Sequence, residues 1–375
     1  MRLVMIATSA QFHPSPRGRW LPLARQLGRA GVDVHWMGLH PHFSPDMRHP
    51  HDDNGVAVQH VAPMHVDAHG PLRGWRLYAQ VLGASWQLAR HAIQLRPDVV
   101  CICKAQPTNS LAALLIHAVT GARLVLDSDD DEAGSHDVTQ RWQYQLMAWC
   151  EQFITGRVSS VSTASSLLAQ RAQQWGALRV AHVATGITIP SHYPVIPYAL
   201  PTPYLVYVGN VATHAHGFDL LLHALAHDAR IPPLVIAGSG HAAEAMRALA
   251  AQLGVAHRCL WLGTIPAAHV PTLLRGAVAS IDPVRQGHAA AARFPLKILE
   301  SLAVGTPVIT SPDGDRAALV GAAGILVPAG DVAALAHACA TIMTHHFVRS
   351  RVQQQVAALE WTSLAHMWGR VHQLI

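Results

Sequence analysis

The sequence predicts an α/β protein built from two parallel sheets, with helices between successive strands. Three observations predict it. Short apolar runs rich in Val and Ile alternate with stretches whose apolar residues repeat at helical spacing, the chain order of a parallel sheet. The alternation stops in a proline-rich stretch, GITIPSHYPVIPYALPTPY at 186–204, and then starts again. The 375 residues suffice for two domains of ordinary size, and 50% of them are hydrophobic, enough to fill two cores.

The first half opens on the strand-like run RLVMIAT (2–8). A loop with Pro and Gly, HPSPRGRW (13–20), precedes a helix carrying Leu21, Leu23, Ala24, Leu27 and Gly28. VDVHWMGL is the next strand, the polar stretch from Pro41 to Asn54 reads as a loop, and GVAVQHV is strand-like. A long amphipathic helix spans 74–96 and ends before Pro97. Then come the strand PDVVCICK, the helix SLAALLIHAVTG, and ARLVLDSDD, a strand that ends in acids. A helix from about Thr139 to Thr155 and the strand RVSSVSTAS complete the half.

After the linker, YLVYVGN, LVIAGSG, CLWLGTI and VASIDPV read as strands, with helices GFDLLLHALAH, AAEAMRALAAQLG and VPTLLRGA between them. RFPLKILESLAVGTPVIT (293–310) reads as a helix and a strand. Pro295 suits the first turn of the helix, where its missing N–H has no partner to lose. Leu296, Leu299, Leu302 and Ala303 form the apolar face, and Gly305 with Thr306-Pro307 ends it. In isolation, Lys297 and Glu300 on this helix are a surface pair contributing about 0.2–0.5 kcal/mol. Yet the chain has only two lysines, Lys104 and Lys297.

Composition excludes several function classes. Charged residues make up 13% of the chain and the formal net charge is +5, with no Arg-rich run interleaved with aromatics, so a nucleic-acid partner has no support. Arg17, Arg19, Arg25 and Arg29 around the first helix suit either acidic headgroups and phosphates or a solvated basic face. Five scattered cysteines lack framework spacing and fit a reducing cytosol. Cys101 and Cys103 alternate in one strand and so face one layer. The 27 histidines fall in no metal-ligand spacing, so no metal is expected. No signal peptide and no apolar run of membrane-spanning length is legible.

The ordered stretches of the second half, YLVYVGN, GFDLLLHALA, LVIAGSGH, LGVAHRCLWLGTI, RFPLKILESLAVGTPVITS and GILVPAGDVAALA, resemble the C-terminal domain of retaining glycosyltransferases of family 4 (glycosyl transferases group 1). LARQLGRAGVDVHWMG, RPDVVCICK and VSTASSLLAQRAQ followed by VATGITIP resemble, more loosely, its N-terminal domain. Trp361-Thr362 opens a helix similar to the one that returns to the first domain in that family. The resemblance implies a GT-B fold: two Rossmann-like parallel-sheet domains facing a central cleft. It implies an acceptor-binding domain at 1–190, a linker at 191–203, a nucleotide-sugar-binding domain at 204–360 and a returning helix at 361–375.

It also implies roles. Glu300 matches the family glutamate that accepts hydrogen bonds from ribose hydroxyls, since a carboxylate can take two vicinal donors. The loop Arg293-Phe294-Pro295-Leu296 and the helix start suit a diphosphate, with Lys297 adding a point charge. Gly238, Gly240 and Gly263 let the backbone turn beside the nucleotide, and His288 would face the donor sugar. Three positions depart from the family pattern: Ala292 stands where the first glutamate of its pair falls, and Asn210 and His216 where its phosphate-binding Arg and Lys fall. Charge neutralisation would then pass to Lys297, Arg285 or Arg293. In DSDDDE (127–132), Asp127, Asp129 and Asp130 would contact donor or acceptor hydroxyls; the bland reading is a solvated loop or a helix cap. Gly18 would allow close approach of acceptor or phosphate beside Arg17 and Arg19.

The function implied is transfer of a sugar from a nucleotide-sugar to an acceptor hydroxyl with retention, without cofactor or metal. The expected partners are a nucleotide-sugar donor and a glycan or lipid-linked acceptor, in the cytoplasm with at most peripheral contact at the inner membrane face. The alternatives are a GT-B-shaped binding protein without catalysis and a nucleotide-sugar epimerase.

Overall fold

The computed structural model describes residues 1–67, 70–135, 141–211, 217–285 and 287–375. It forms two compact units. Unit one comprises Met1–Gly186 and Trp361–Ile375, and unit two Ile187–Glu360.

Unit one holds strands β1 (Arg2–Ala7), β2 (Asp33–His40), β3 (His51–Asp52), β4 (Val56–Pro63), β5 (Val66–Asp67), β6 (Gly70–Pro71), β7 (Val99–Cys103), β8 (Arg123–Ser128), β9 (Ser160–Thr163) and β10 (Val180–His182). Eight of them make one sheet in the order β10-β9-β8-β7-β1-β2-β4-β3, while β5 and β6 pair with each other. The sheet is parallel except where β3 runs antiparallel to β4. In register, Met5 of β1 lies between Trp36 of β2 and Cys101 of β7. Leu3 to Ala7 are all buried, because helices cover both faces and leave no solvent side for alternating polar residues.

Two local expectations are corrected. The stretch 41–54 is not all loop: it contains a 3-10 turn, Pro45–Arg48, and the edge strand β3. HPSPRGRW is not a loop either. Pro16–Trp20 is a π-helical turn running straight into the helix Leu21–Arg29, with Pro16 in the first turn where no N–H is missed. The start of the helix expected at Thr139 lies outside the described residues; the helix is described over Arg141–Thr155.

Unit two holds β11 (Leu205–Val208), β12 (Leu234–Ala237), β13 (Cys259–Gly263), β14 (Ala279–Ile281), β15 (Val308–Thr310) and β16 (Gly324–Leu326). They form a fully parallel sheet in the order β13-β12-β11-β14-β15-β16. Its core gathers Leu221, Leu225, Ile236, Ile281, Ile309 and Leu335. The helix Leu296–Ala303 buries Ile298, Leu299, Leu302 and Ala303, with Pro295 as its N-cap residue.

In each unit the strand order reverses beside the first strand of the sheet: β1 lies between β7 and β2, and β11 between β12 and β14. Crossovers leave in opposite directions there and open a crevice at the carboxyl ends of the strands, where open α/β sheets bind ligands. Both lysines of the chain sit at such ends.

Candidate functional site

In unit two, β14 delivers Asp282 to the carboxyl edge of the sheet. Its carboxylate is buried and divided between two cations: Lys297 Nζ is 3.2 Å from Oδ1, and Arg316 Nε donates to Oδ2 at 2.9 Å. Thr310 Oγ1 donates to Oδ2 at 3.1 Å. Burial by itself would raise the pKa of Asp282, but Lys297 and Arg316 outweigh it and hold the group at about 2. Lys297 also lies over the Tyr207 ring, 4.6 Å from its centroid. Burial would lower its pKa; Tyr207 and Asp282 reverse the balance, so the ammonium stays charged.

Lys297 stands in the first turn of the helix Leu296–Ala303, and no side chain caps that end. Its backbone N–H groups therefore present a positive end to an anion. The lysine passes beside Gly209, where an added Cβ would lie 3.6 Å from Nζ. Behind it, the turn after β11 packs against the turn after β12. A Cβ on Gly238 would fall 1.8 Å from Gly209 O, and one on Gly240 2.2 Å from Asn210 Oδ1. Only glycine permits this approach, and it keeps the wall beside Lys297 as bare backbone.

One turn beyond Lys297, Glu300 lines a cavity of about 120 Å³ with Ile187, Pro190, Val270, Leu274 and Ala303. A single carboxylate, with Thr188 as the one other polar side chain among otherwise apolar walls, suits a ring bearing hydroxyls on one edge and an apolar face elsewhere.

The remaining expected residues fall as follows. Arg293 is half-buried, Phe294 and Pro295 are buried, and Leu296 begins the helix. Arg285 pairs with Asp219. Gly263 O accepts from Gly238 N at 2.8 Å, which ties β13 to the glycine turn. Ala292 is fully buried, and the backbone of its helix, His288–Ala292, is held by Arg316, whose Nη1 donates to Ala290 O at 2.6 Å. His216 and the side chain of His288 lie outside what is described.

In unit one the acids of DSDDDE separate. Asp127 is corrected: it is fully buried, and both oxygens are taken. Arg19 Nε at 2.6 Å and Trp20 Nε1 at 2.9 Å donate to Oδ1. Arg19 Nη2 at 2.9 Å, Trp368 Nε1 at 2.8 Å and Ser162 Oγ at 2.6 Å donate to Oδ2. No lone pair is left for a substrate hydroxyl. Burial would raise the Asp127 pKa; Arg19 overrides it and holds the carboxyl at about 2. Arg19 is corrected with it, since its guanidinium is buried against Asp127 and Val183 O rather than offered to phosphate. Arg17 is exposed, and Gly18 lies in the π-helical turn. Asp131 caps the short helix Glu132–Ser135 through Gly134 N at 3.1 Å and pairs with Arg171 at 2.9 Å.

Asp129 belongs to a polar cluster at the ends of β1, β7 and β8. Lys104 Nζ is 2.7 Å from Glu132 Oε1 and 3.4 Å from Asp129 Oδ1. Gln106 Nε2 donates to Glu132 Oε2 at 2.6 Å, and Thr8 Oγ1 donates to Gln106 Oε1. Lys104 has φ +73°, a strained conformation for a lysine, and Asn109 Nδ2 secures it by donating to the carbonyls of Cys103 at 2.7 Å and Lys104 at 3.2 Å. Asp130 precedes Asp131 and accepts from its N–H at 2.9 Å.

Sequence reasoning missed Lys104, Gln106 and Glu132 here, and Asp282 in unit two. One signal was present for Asp282: an acid directly ending an apolar strand, as in the run ending at Asp127. Among the described residues, no group of three or more His, Cys, Asp or Glu side chains is placed to hold a metal ion.

Residues 17–186 match the family described as Glycosyl transferase 4-like domain, and residues 202–345 match Glycosyl transferases group 1. No curated protein sequence matches significantly. Among solved structures, the fold is similar to sucrose-phosphate synthase from Thermosynechococcus elongatus, with 17% identity, TM-score 0.79, and 99% of this chain and 98% of that one covered. It is similar to Anabaena Alr3699/HepE in complex with UDP-glucose, with 15% identity, TM-score 0.72 and both chains fully covered. The lipopolysaccharide outer core galactosyltransferase WaaB aligns at 13% identity with TM-score 0.66, over 100% of this chain and 99% of that one. These likenesses establish the GT-B fold. The two matched segments span most of the sequence, and the protein belongs to the family 4 glycosyltransferases, glycosyl transferases group 1.

Proposed function

We propose that the protein transfers a sugar from a nucleoside-diphosphate sugar, held by unit two, to a hydroxyl of an acceptor held by unit one, with retention at the anomeric carbon and without a metal. The observation that carries this is Glu300 in its largely apolar cavity, one turn from Lys297 at an uncapped helix start. Glu300 accepts from the ribose hydroxyls. The helix N–H groups, the bare Gly209 and Gly238 backbone and Lys297 receive the diphosphate. UDP-glucose bound to the similar Anabaena protein supports a donor of this class.

The acceptor oxygen forms its bond to the anomeric carbon as the bond from that carbon to the phosphate oxygen breaks. The acceptor proton passes to the departing phosphate on the same face. Asp282 neutralises one of two adjacent cations, so the site keeps a positive charge where the leaving group gains its negative one. The Lys104–Asp129–Glu132 cluster lines the equivalent crevice of unit one and is assigned to the acceptor.

The test is nucleotide release across a panel of nucleotide-sugars, with Glu300→Ala beside the wild type. Release from one donor, weakened by the substitution chiefly through KM, is the expected result. Silence across the panel, together with no nucleotide binding by calorimetry, would overturn the reading in favour of a binding protein without turnover.

A further inference from the structure

Three helices, Gly74–Gln94, Pro107–Thr120 and Arg141–Thr155, cover one face of the unit-one sheet, and Leu88, Ile116 and Ile154 from them share one core. Their outer surface is unusual. The first helix exposes Trp75, Tyr78, Leu82 and Trp86, spaced by three, four and four residues, which makes a single stripe. Trp75 is 77% exposed and Trp86 58%. The middle helix exposes Val119. The third exposes Tyr144, Leu146 and Trp149, the last at 56%.

Among the described residues, charge on these three helices is one-sided. The three helices contain a single acid, Glu151, and it is buried. Arg73, Arg76 and Arg90 lie exposed along the first helix, and Arg157, just past the third, stacks over the Phe153 ring at 3.6 Å. A merely solvated helix layer carries both signs of charge and no run of exposed tryptophans.

We propose that this three-helix face rests on the headgroup region of a bilayer containing anionic lipid. Trp and Tyr join an apolar ring to a polar N–H or O–H, which suits a boundary that is apolar on one side and wet on the other. Arg73 and Arg90 meet anionic headgroups, and the helices themselves carry no exposed acid. No helix among the described residues is long and apolar enough to cross a membrane, so the contact is of the surface-lying kind. A second copy of the chain fits the face less well. In a two-fold interface the patch meets itself, and Arg73 and Arg90 would face like charges, because the helices themselves offer no exposed acid across it. The arginines around the first helix, which suit either acidic headgroups or a solvated face by sequence, are less available, since Arg19 and Arg25 are paired with Asp127 and Asp53. The inference does not rest on the transfer reading, because attachment is measured without a donor.

The experiment is co-sedimentation of the full chain with vesicles of phosphatidylcholine alone, or of equal parts phosphatidylcholine and phosphatidylglycerol. Pelleting with the anionic vesicles is expected, weakened by about tenfold or more in Trp75→Ser/Trp86→Ser and in Arg73→Gln/Arg90→Gln, and weakened by added salt. Brominated lipid should also quench wild-type tryptophan fluorescence, a readout that needs no variant. No pelleting with either vesicle overturns the proposal, as does equal pelleting of all variants. A wild-type dimer in sedimentation velocity, lost in the tryptophan variant and without vesicle binding, overturns it in favour of a second copy.

Discussion

Lys297 Nζ lies 3.2 Å from Asp282 Oδ1, and the same carboxylate also takes Arg316. Two cations share one anion, so one positive charge is left over at the end of β14, beside the bare backbone of Gly209. That surplus separates the consequences of two substitutions. Lys297→Met leaves Asp282 neutralised by Arg316, so the fold survives while the leaving group loses its counter-charge. Turnover should fall by about 10²–10³-fold, with little change in melting temperature. Asp282→Asn leaves the buried Arg316 and the half-buried Lys297 without their anion and should cost about 3–5 kcal/mol of stability. Steady-state kinetics and urea unfolding of the two variants, side by side, check the contrast.

Asp127 anchors unit one. It joins β8 to the π-helical turn through Arg19 and Trp20, to β9 through Ser162 and to the last helix through Trp368. Asp127→Asn, or Arg19→Met, should each cost about 3–5 kcal/mol, because each leaves the other group buried without its counter-charge. The double variant should cost clearly less than the sum, since the second change removes an already orphaned group. Denaturant midpoints measure all three. An Asp127→Asn protein of unchanged stability that had lost only turnover would restore the substrate-contact reading.

Acid should unfold the protein over a definable range. Asp127 and Asp282 are both held at about 2 when folded, against about 4 for a free aspartate. The unfolded chain therefore binds protons first as pH falls. The stability from each group is full above about pH 4 and is lost as pH falls through about 2, on the order of 2–3 kcal/mol apiece. The acid limb of an unfolding curve should be shallower in Asp282→Asn than in the wild type, once the two are compared as slopes.

Glu151 carries the opposite sign. Burial, reinforced by Glu132 and Asp131, pushes its carboxyl up to about 8 against the pull of Arg171, and its Oε2 has no hydrogen-bond partner. The folded protein holds this proton at neutral pH, whereas the unfolded chain releases it near pH 4–5. Its contribution is full below that range and lost as pH rises through about 8. Glu151→Gln keeps the shape without an ionisable proton. It should match the wild type near pH 5 and exceed it by about 2–4 kcal/mol near pH 9, read by thermal unfolding at the two pH values.

The sequence by itself determined two rounds of strand–helix alternation, the helix that carries Lys297 and Glu300 one turn apart, and the glycines at 238 and 240. Those features depend on residues close together in the chain, where apolar spacing and the needs of a tight turn act locally. Family resemblance added the functional class, through motifs that are themselves short and ordered. Only the tertiary structure decided which polar groups face inward. Asp127 and Asp129 look alike in DSDDDE, yet one is consumed by Arg19, 108 residues away, and Trp368, 241 residues away, while the other meets Lys104 at the crevice. Asp282, inconspicuous in VASIDPV, gained its importance from Lys297 and Arg316 on two later helices. The stripe from Trp75 to Trp86 has the spacing of a buried helix face, and only packing the other side of that helix into the core shows that the stripe was left outside. Periodicity reveals that a helix has two faces. Which one is buried, and which charge is neutralised, is settled by groups that meet only after the chain has closed on itself, in a medium where an unpaired charge is too costly to leave.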